Sequence, residues 1–245
     1  MIPIHLDTIH NIRDLGQTSG ACGKRVKPGC LIRSAHLGNA SHADIVTLKT
    51  LANVDTVIDL RTNQERLEKP DAADGMNCLS IPIFDSLQAG VTHEERQKAD
   101  RLPDMAGLYA YMMKDKNCQS NFRRALKVIM AHDYANGSVL WHCSEGKDRC
   151  GMLTALVLLA LGASRETILQ DYLATNEINI PKAEAVYNKL RASRSEEFAR
   201  SVYAVLIADA RYFDAAWEAM GTDYLTVTLG IEPEEIQRFR DRMLE

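Results

Sequence analysis

The stretch Ser138-Val139-Leu140-Trp141-His142-Cys143-Ser144-Glu145-Gly146-Lys147-Asp148-Arg149-Cys150-Gly151 decides the fold. Its first four residues form a short apolar run and read as a buried strand. From Met152 to Leu161 the chain is almost unbroken in apolar character and reads as a buried helix. Cys143 and Arg149 therefore flank five residues on a tight strand-to-helix turn. The first N–H groups of such a helix have no intrahelical partners, and its dipole is positive at that end. An anion is favoured there, and so is a thiolate.

A phosphate monoester dianion suits this loop. The backbone N–H groups from Ser144 to Arg149, a run that includes Glu145, Gly146, Lys147 and Asp148, can encircle three oxygens. The Arg149 guanidinium can add two parallel hydrogen bonds, a geometry closed to lysine. Cys143 then lies under the phosphorus, placed for in-line attack that yields a cysteinyl-phosphate. Asp148 is an acid within the loop, placed to protonate the leaving oxygen. Gly146 permits a positive φ, and Lys147 is expected to add a charge at the rim. His142 is expected to orient rather than to act as a base. Asp59 is the remaining catalytic candidate, weighed against capping a strand end or pairing with Arg61. The chemistry needs no metal and no cofactor.

The rest of the chain bounds these readings. Its 245 residues suffice for one full hydrophobic core. With no Gly/Ser run, Pro-rich stretch or block of like charge, 1–245 reads as a single domain. The net charge of -4 argues against nucleic acid as a partner. Cys22, Cys30, Cys78, Cys118, Cys143 and Cys150 contain no CxxC pair and share no spacing with the histidines. Neither a zinc site nor a disulfide scaffold follows, and a reducing compartment fits best. No signal peptide is visible in residues 1–15, and no run reaches the ~18 apolar residues of a membrane span. A cytoplasmic location is the expectation, with leaderless export left open.

Outward from the loop, Cys30-Leu31-Ile32-Arg33-Ser34, Asp55 to Leu60 and Cys78 to Phe84 read as strands, with Pro82 marking an edge or an end. Ser41 with Asp44, and Thr62 with Glu65, read as capping boxes. Gln119 to His132, the segment after Ser164, Tyr212 to Met220 and Pro233 to Leu244 read as helices. Pro181 is expected to open a long helix reaching about Leu206. Residues 85–117 look like an insertion, polar from Thr92 to Arg101 and amphipathic from Pro103 to Met113, and are expected to form a helical lid. Tyr109 and Tyr111 within it are expected in the core rather than at a mouth. Alternating strands and helices imply an α/β fold, a mainly parallel sheet flanked by helices, with ligands at the carboxyl ends of its strands. Cys143 and Asp59 both sit at such ends.

The segment from His142 to Gly151 resembles the HCxxGKDRTG loop of atypical bacterial tyrosine phosphatases. Asn11-Ile12-Arg13-Asp14-Leu15-Gly16 looks like that family's NFRDLGG segment, and Gly29-Cys30-Leu31-Ile32-Arg33-Ser34-Ala35 like its GxLFRSA strand. Ile58-Asp59-Leu60-Arg61-Thr62 looks like its DLRT motif, and Asp171-Tyr172-Leu173-Ala174-Thr175-Asn176 like its DYLxSN helix. The resemblance covers nearly the whole chain, least across 85–117 and 185–220. It implies the cysteine-phosphatase fold and activity on phosphotyrosine, sometimes phosphoserine or phosphothreonine, and phosphoinositides. It also implies that Lys147 and Asp148 belong to the loop's machinery, in contrast to phosphatases whose acid lies on a separate mobile loop. Two positions depart from the pattern. Cys150 stands where the family has threonine or serine, and Glu145 puts a negative charge beside a dianion site.

Plainer readings compete. Arg13, Asp14 and Arg33 are expected to build a structural salt-bridge network rather than touch substrate. A phosphate-binding pseudo-enzyme would keep Arg149 and the loop amides, but would be expected to lose Cys143 or Asp148, and both are present. A sulfurtransferase or arsenate reductase also carries a loop cysteine, yet Arg149 at the loop's end favours phosphate.

Overall fold

The computed structural model describes residues 1–84 and 104–245. Its strands are β1 (Ile2–Pro3), β2 (Arg13–Asp14), β3 (Leu31–Ser34), β4 (Val54–Asp59), β5 (Asn77–Ser80) and β6 (Ser138–His142). They form a six-stranded sheet in the order β1-β2-β3-β6-β4-β5. β3, β6, β4 and β5 run parallel, while β1 and β2 add antiparallel at the β3 edge. The mainly parallel α/β fold expected from the sequence is the one observed. β6 is buried along its whole length because both faces of the sheet are covered. Val139 and Trp141 join the larger core cluster, and Leu140, one residue out of phase, joins the smaller one with Ile32, Val57, Ile45 and Leu48.

The helices are α1 (His42–Thr50), α2 (Asn63–Glu68), α3 (Met105–Lys114), α4 (Lys116–Ala131), α5 (Asp148–Ala160), α6 (Arg165–Ala174), α7 (Asn176–Arg191), α8 (Glu196–Leu206), α9 (Ala210–Met220) and α10 (Pro233–Met243). α5 is buried almost all round, as its unbroken apolar run requires. Of the stretch expected as an inserted lid, residues 85–103 lie outside the described residues. The amphipathic part is the helix α3, which packs on α9 with the Tyr109 and Tyr212 rings 5.9 Å apart. Among the described residues no helix is long and apolar enough to cross a membrane.

Three local expectations need correction. β5 stops at Ser80, before the expected Phe84, because Pro82 has no N–H to continue a ladder. Ser41 caps α1, but Asp44 does not close a capping box. Its carboxylate accepts instead from the amides of Asp7 and Thr8. Pro181 does not open a helix: it lies inside α7, which begins at Asn176, and the stretch breaks before Ser195, which caps α8. Two side chains hold the turn ahead of the proline. Asn176 donates to Ala208 O at 2.8 Å, and Asn179 to Leu206 O at 3.0 Å. These contacts keep the helical path that local sequence alone would interrupt.

Candidate active site

β6 delivers Cys143, buried, at its carboxyl end, and α5 begins five residues later at Asp148. The scaffold draws the loop's carbonyls outward. Ser144 O accepts from the His36 amide at 3.3 Å. Glu145 O and Gly146 O accept from Asn11 Nδ2 at 3.0 and 2.9 Å. Gly146 O also accepts from Arg33 at 2.7 Å, and Lys147 O from the Gly151 amide at 2.7 Å. In a planar trans peptide the N–H points opposite to the C=O. Anchoring these carbonyls therefore turns the following amides, of Glu145, Gly146, Lys147 and Asp148, away from the scaffold. Gly146 is required twice over. Its φ is +66°, and a Cβ there would lie 2.6 Å from Ser34 O.

The anchors are themselves locked. Arg13 donates to Asn11 Oδ1 at 2.6 Å and to Asp171 Oδ1 at 3.0 Å, and Arg33 pairs with the other oxygen of Asp171. Arg13 and Arg33 thus form the expected structural network. Asp14 does not join it, since it accepts from the amides of Gly16 and Gly29. Burial pushes the Asp171 carboxyl up, but the two guanidinium charges and their hydrogen bonds outweigh it and leave it below its ordinary value. Asp171→Ala leaves two buried guanidinium groups short of their counter-charge, so it should cost about 3–5 kcal/mol of unfolding free energy, read by urea denaturation. The Asp171 contribution should be complete above the unfolded carboxylate pKa of about 3.9 and fade as pH falls through the lower folded value.

Arg149, in the first turn of α5, meets a partner that the sequence reading assigned only to a helix cap. Glu65 closes the expected capping box with Thr62, and the same carboxylate binds the Arg149 guanidinium in parallel at 2.6 and 2.8 Å. Ser144 Oγ donates to Glu65 as well and accepts from Arg149 at 3.2 Å. The Phe84 ring lies 5.2 Å from the guanidinium carbon. Burial pushes the Glu65 carboxyl up, yet the Arg149 hydrogen bonds and charge, with the Ser144 hydroxyl, hold it far below the carboxylate range. Burial works against the Arg149 charge, and Glu65 more than restores it.

Behind the loop, His142 Nε2 lies 2.9 Å from Asp71 Oδ2. Burial disfavours the imidazolium, but the Asp59 charge and the Asp71 contact raise the His142 pKa above its ordinary value. Asp71 is correspondingly lowered to about 2: its burial is outweighed by His142 and Arg61. Asp59 accepts from the Arg61 amide at 2.9 Å and from its guanidinium at 2.8 Å. Of the roles weighed for Asp59, pairing with Arg61 is the one its contacts fill. Asp59, Asp71 and His142 bring ligand atoms within 4.8 Å of one another, a spacing a metal ion could use. The Arg61 guanidinium already bonds both carboxylates there, at 2.8 and 2.9 Å, and supplies the cation.

Besides Arg149, the three other charged loop residues are placed differently from expectation or beyond it. Lys147 is not at the rim. Its side chain is buried, and its ammonium donates to Val205 O at 2.6 Å and Ile207 O at 3.1 Å, while lying 3.3 Å from Asp148. α8 ends on these carbonyls, where a cation complements the helix dipole. Asp148 accepts from the buried Tyr109 hydroxyl at 2.6 Å, a contact absent from the sequence reading. Glu145 pairs with Lys182 of α7 at 2.7 Å, so its charge beside the loop is compensated. Cys150 directs its thiol to Trp141 O at 3.6 Å, and burial pushes its pKa up to about 12, which keeps it protonated.

The site thus joins a buried cysteine at a strand end, a loop with anchored carbonyls and an arginine held in a planar clamp. A Cupriavidus necator protein carrying the name tyrosine-protein phosphatase is 32% identical over 226 residues, covering 90% of this chain and 80% of its own. The triple specificity protein phosphatase PtpB of Mycobacterium tuberculosis is 28% identical over 274 residues, covering 96% of each chain. The solved structure of a kinase-associated phosphatase aligns over 93% of this chain and 99% of its own, at 13% identity and a TM-score of 0.48. Residues 4–245 match the tyrosine phosphatase family as a whole. The chain belongs to the tyrosine phosphatase family.

Proposed function

We propose that the protein is a metal-independent phosphomonoesterase acting on phosphotyrosine through a cysteinyl-phosphate on Cys143. The observation that carries the reading is the loop itself: Cys143 ends β6, the carbonyls from Ser144 to Lys147 are anchored outward, and Arg149 closes the circuit. Amides turned from the scaffold offer hydrogen bonds to three phosphoryl oxygens, and the guanidinium offers two more in parallel. Cys143 Sγ attacks phosphorus as the ester P–O bond breaks, and the departing phenolic oxygen takes a proton from Asp148. Water then attacks phosphorus, the S–P bond breaks and the water's proton returns to Asp148. The net products are the free phenol and inorganic phosphate. Asp59, Asp71 and His142 hold the end of β6, and Glu65 holds Arg149. The whole of 1–245 is taken as one catalytic domain.

Hydrolysis of para-nitrophenyl phosphate and of a phosphotyrosine peptide in EDTA tests this reading. Turnover of both that survives chelation is the expected result. Saturable binding of the peptide without phosphate release would instead make the protein a phosphate-binding pseudo-enzyme.

A further inference from the structure

Asp148 is held by a chain of hydroxyls that begins well outside the loop. Tyr109, wholly buried on α3, donates to Asp148 Oδ1 at 2.6 Å. Tyr172 on α6 lies 2.8 Å from the Tyr109 oxygen, and the two rings meet edge to face with centroids 5.9 Å apart. A phenol has one proton. When Asp148 is ionised it can only accept, so Tyr109 then donates to it and Tyr172 can donate into Tyr109. The Lys147 ammonium at 3.3 Å, the Arg149 guanidinium and the Tyr212 ring of α9 also act on Asp148. Two cations and an aimed hydroxyl favour the ionised carboxyl, while its burial opposes ionisation. A general acid, however, must hold a proton when the ester bond breaks.

We propose that Tyr109 is the positioning residue for Asp148: its hydroxyl fixes one carboxyl oxygen and favours the carboxylate over the acid, which biases the site toward aryl phosphates. The inference rests on the reading of Asp148 as the proton donor. An alkoxide leaves poorly without a proton, whereas a phenoxide leaves with far less help. The more such a contact favours the carboxylate, the more the site discriminates phosphotyrosine from phosphoserine through the leaving group, independently of pocket depth. The same ionised carboxylate is ready to take the proton of the attacking water in the second step. The Tyr109 ring packs among Tyr172 and Tyr212, so removing its hydroxyl leaves the apolar contacts in place.

The test compares the wild-type chain with Tyr109→Phe in pH profiles of kcat/KM for an aryl and an alkyl phosphate. Loss of a hydrogen bond to a charged group should move the Asp148 pKa up by roughly one to two units. The basic limb for the alkyl phosphate should shift upward by that amount, and the aryl-to-alkyl preference should fall. Tyr172→Phe, which keeps the Tyr109 contact and removes only the donor behind it, should show a smaller shift in the same direction. If Tyr109→Phe fails to fold, the Tyr172→Phe shift alone decides. Carbon-13 titration of the Asp148 carboxyl, assigned with Asp148→Asn, reads the same shift without turnover, so the Tyr109 contact is tested separately from the phosphatase reading: an inactive wild type with an unshifted Tyr109→Phe titration rejects both, and one with a shifted titration rejects the phosphatase reading and the substrate bias that rests on it. An unchanged Asp148 titration, or equal losses on both substrates with no change in pH profile, would overturn the proposal and leave Tyr109 a packing residue.

Discussion

Cys143→Ser removes turnover by more than about 10⁴-fold, the scale on which nucleophile replacements act in hydrolases that work through a covalent intermediate, while leaving phosphotyrosine binding close to wild type. The two halves of the result have separate causes. A serine hydroxyl in the same place is a far weaker nucleophile than a thiolate. Binding depends on other groups: the amides turned by Asn11, His36 and Arg33, and the Arg149 guanidinium. Isothermal titration of a phosphotyrosine peptide into Cys143→Ser, beside its steady-state rate, separates the two. Near-normal turnover by the serine variant would remove the covalent route.

Arg149→Lys should lower kcat by about 10²–10³, the range found for losing a single fixed donor to a developing charge. The substitution keeps the positive charge but loses the planar pair of N–H groups. Those groups are already aligned in the free protein, because Glu65 binds them in parallel from helix α2. An ammonium cannot satisfy both Glu65 oxygens and two phosphoryl oxygens in that geometry. The equatorial oxygens carry charge throughout phosphoryl transfer, so the loss should fall on kcat as well as on KM. Glu65→Gln, which keeps the shape of the clamp and removes its charge, should give a smaller loss in the same direction. Equal rates for Arg149→Lys and wild type would mean that the loop amides alone carry the transition state.

Much of this site is legible because its core is local. A strand, seven residues from Cys143 to Arg149 and a helix follow one another in the chain, and periodicity and caps report such elements directly. The parallel sheet followed for the same reason. The supports are not local. Glu65 lies 84 residues from Arg149, Tyr109 lies 39 from Asp148, and the Lys147 ammonium ends on a carbonyl 58 residues away. No periodic pattern encodes those meetings. They follow from strand order, and for Glu65 a signal did exist. Once β4 lies beside β6, the first turn of the helix after β4 must stand next to the loop after β6. An acid at that helix's third position is then within reach of the arginine. Pro181 shows the opposite failure: a strong local signal for a helix start was overridden by the Asn176 and Asn179 bonds to the far end of α8.

The central claim is that phosphate passes through a covalent bond to Cys143. The stereochemical course at phosphorus tests it most directly, because the outcome does not require the intermediate to accumulate. With an aryl phosphate made chiral by oxygen isotopes and an alcohol acceptor in place of water, two successive in-line displacements predict retention of configuration. Inversion would show direct attack on phosphorus without the cysteine and would contradict the account.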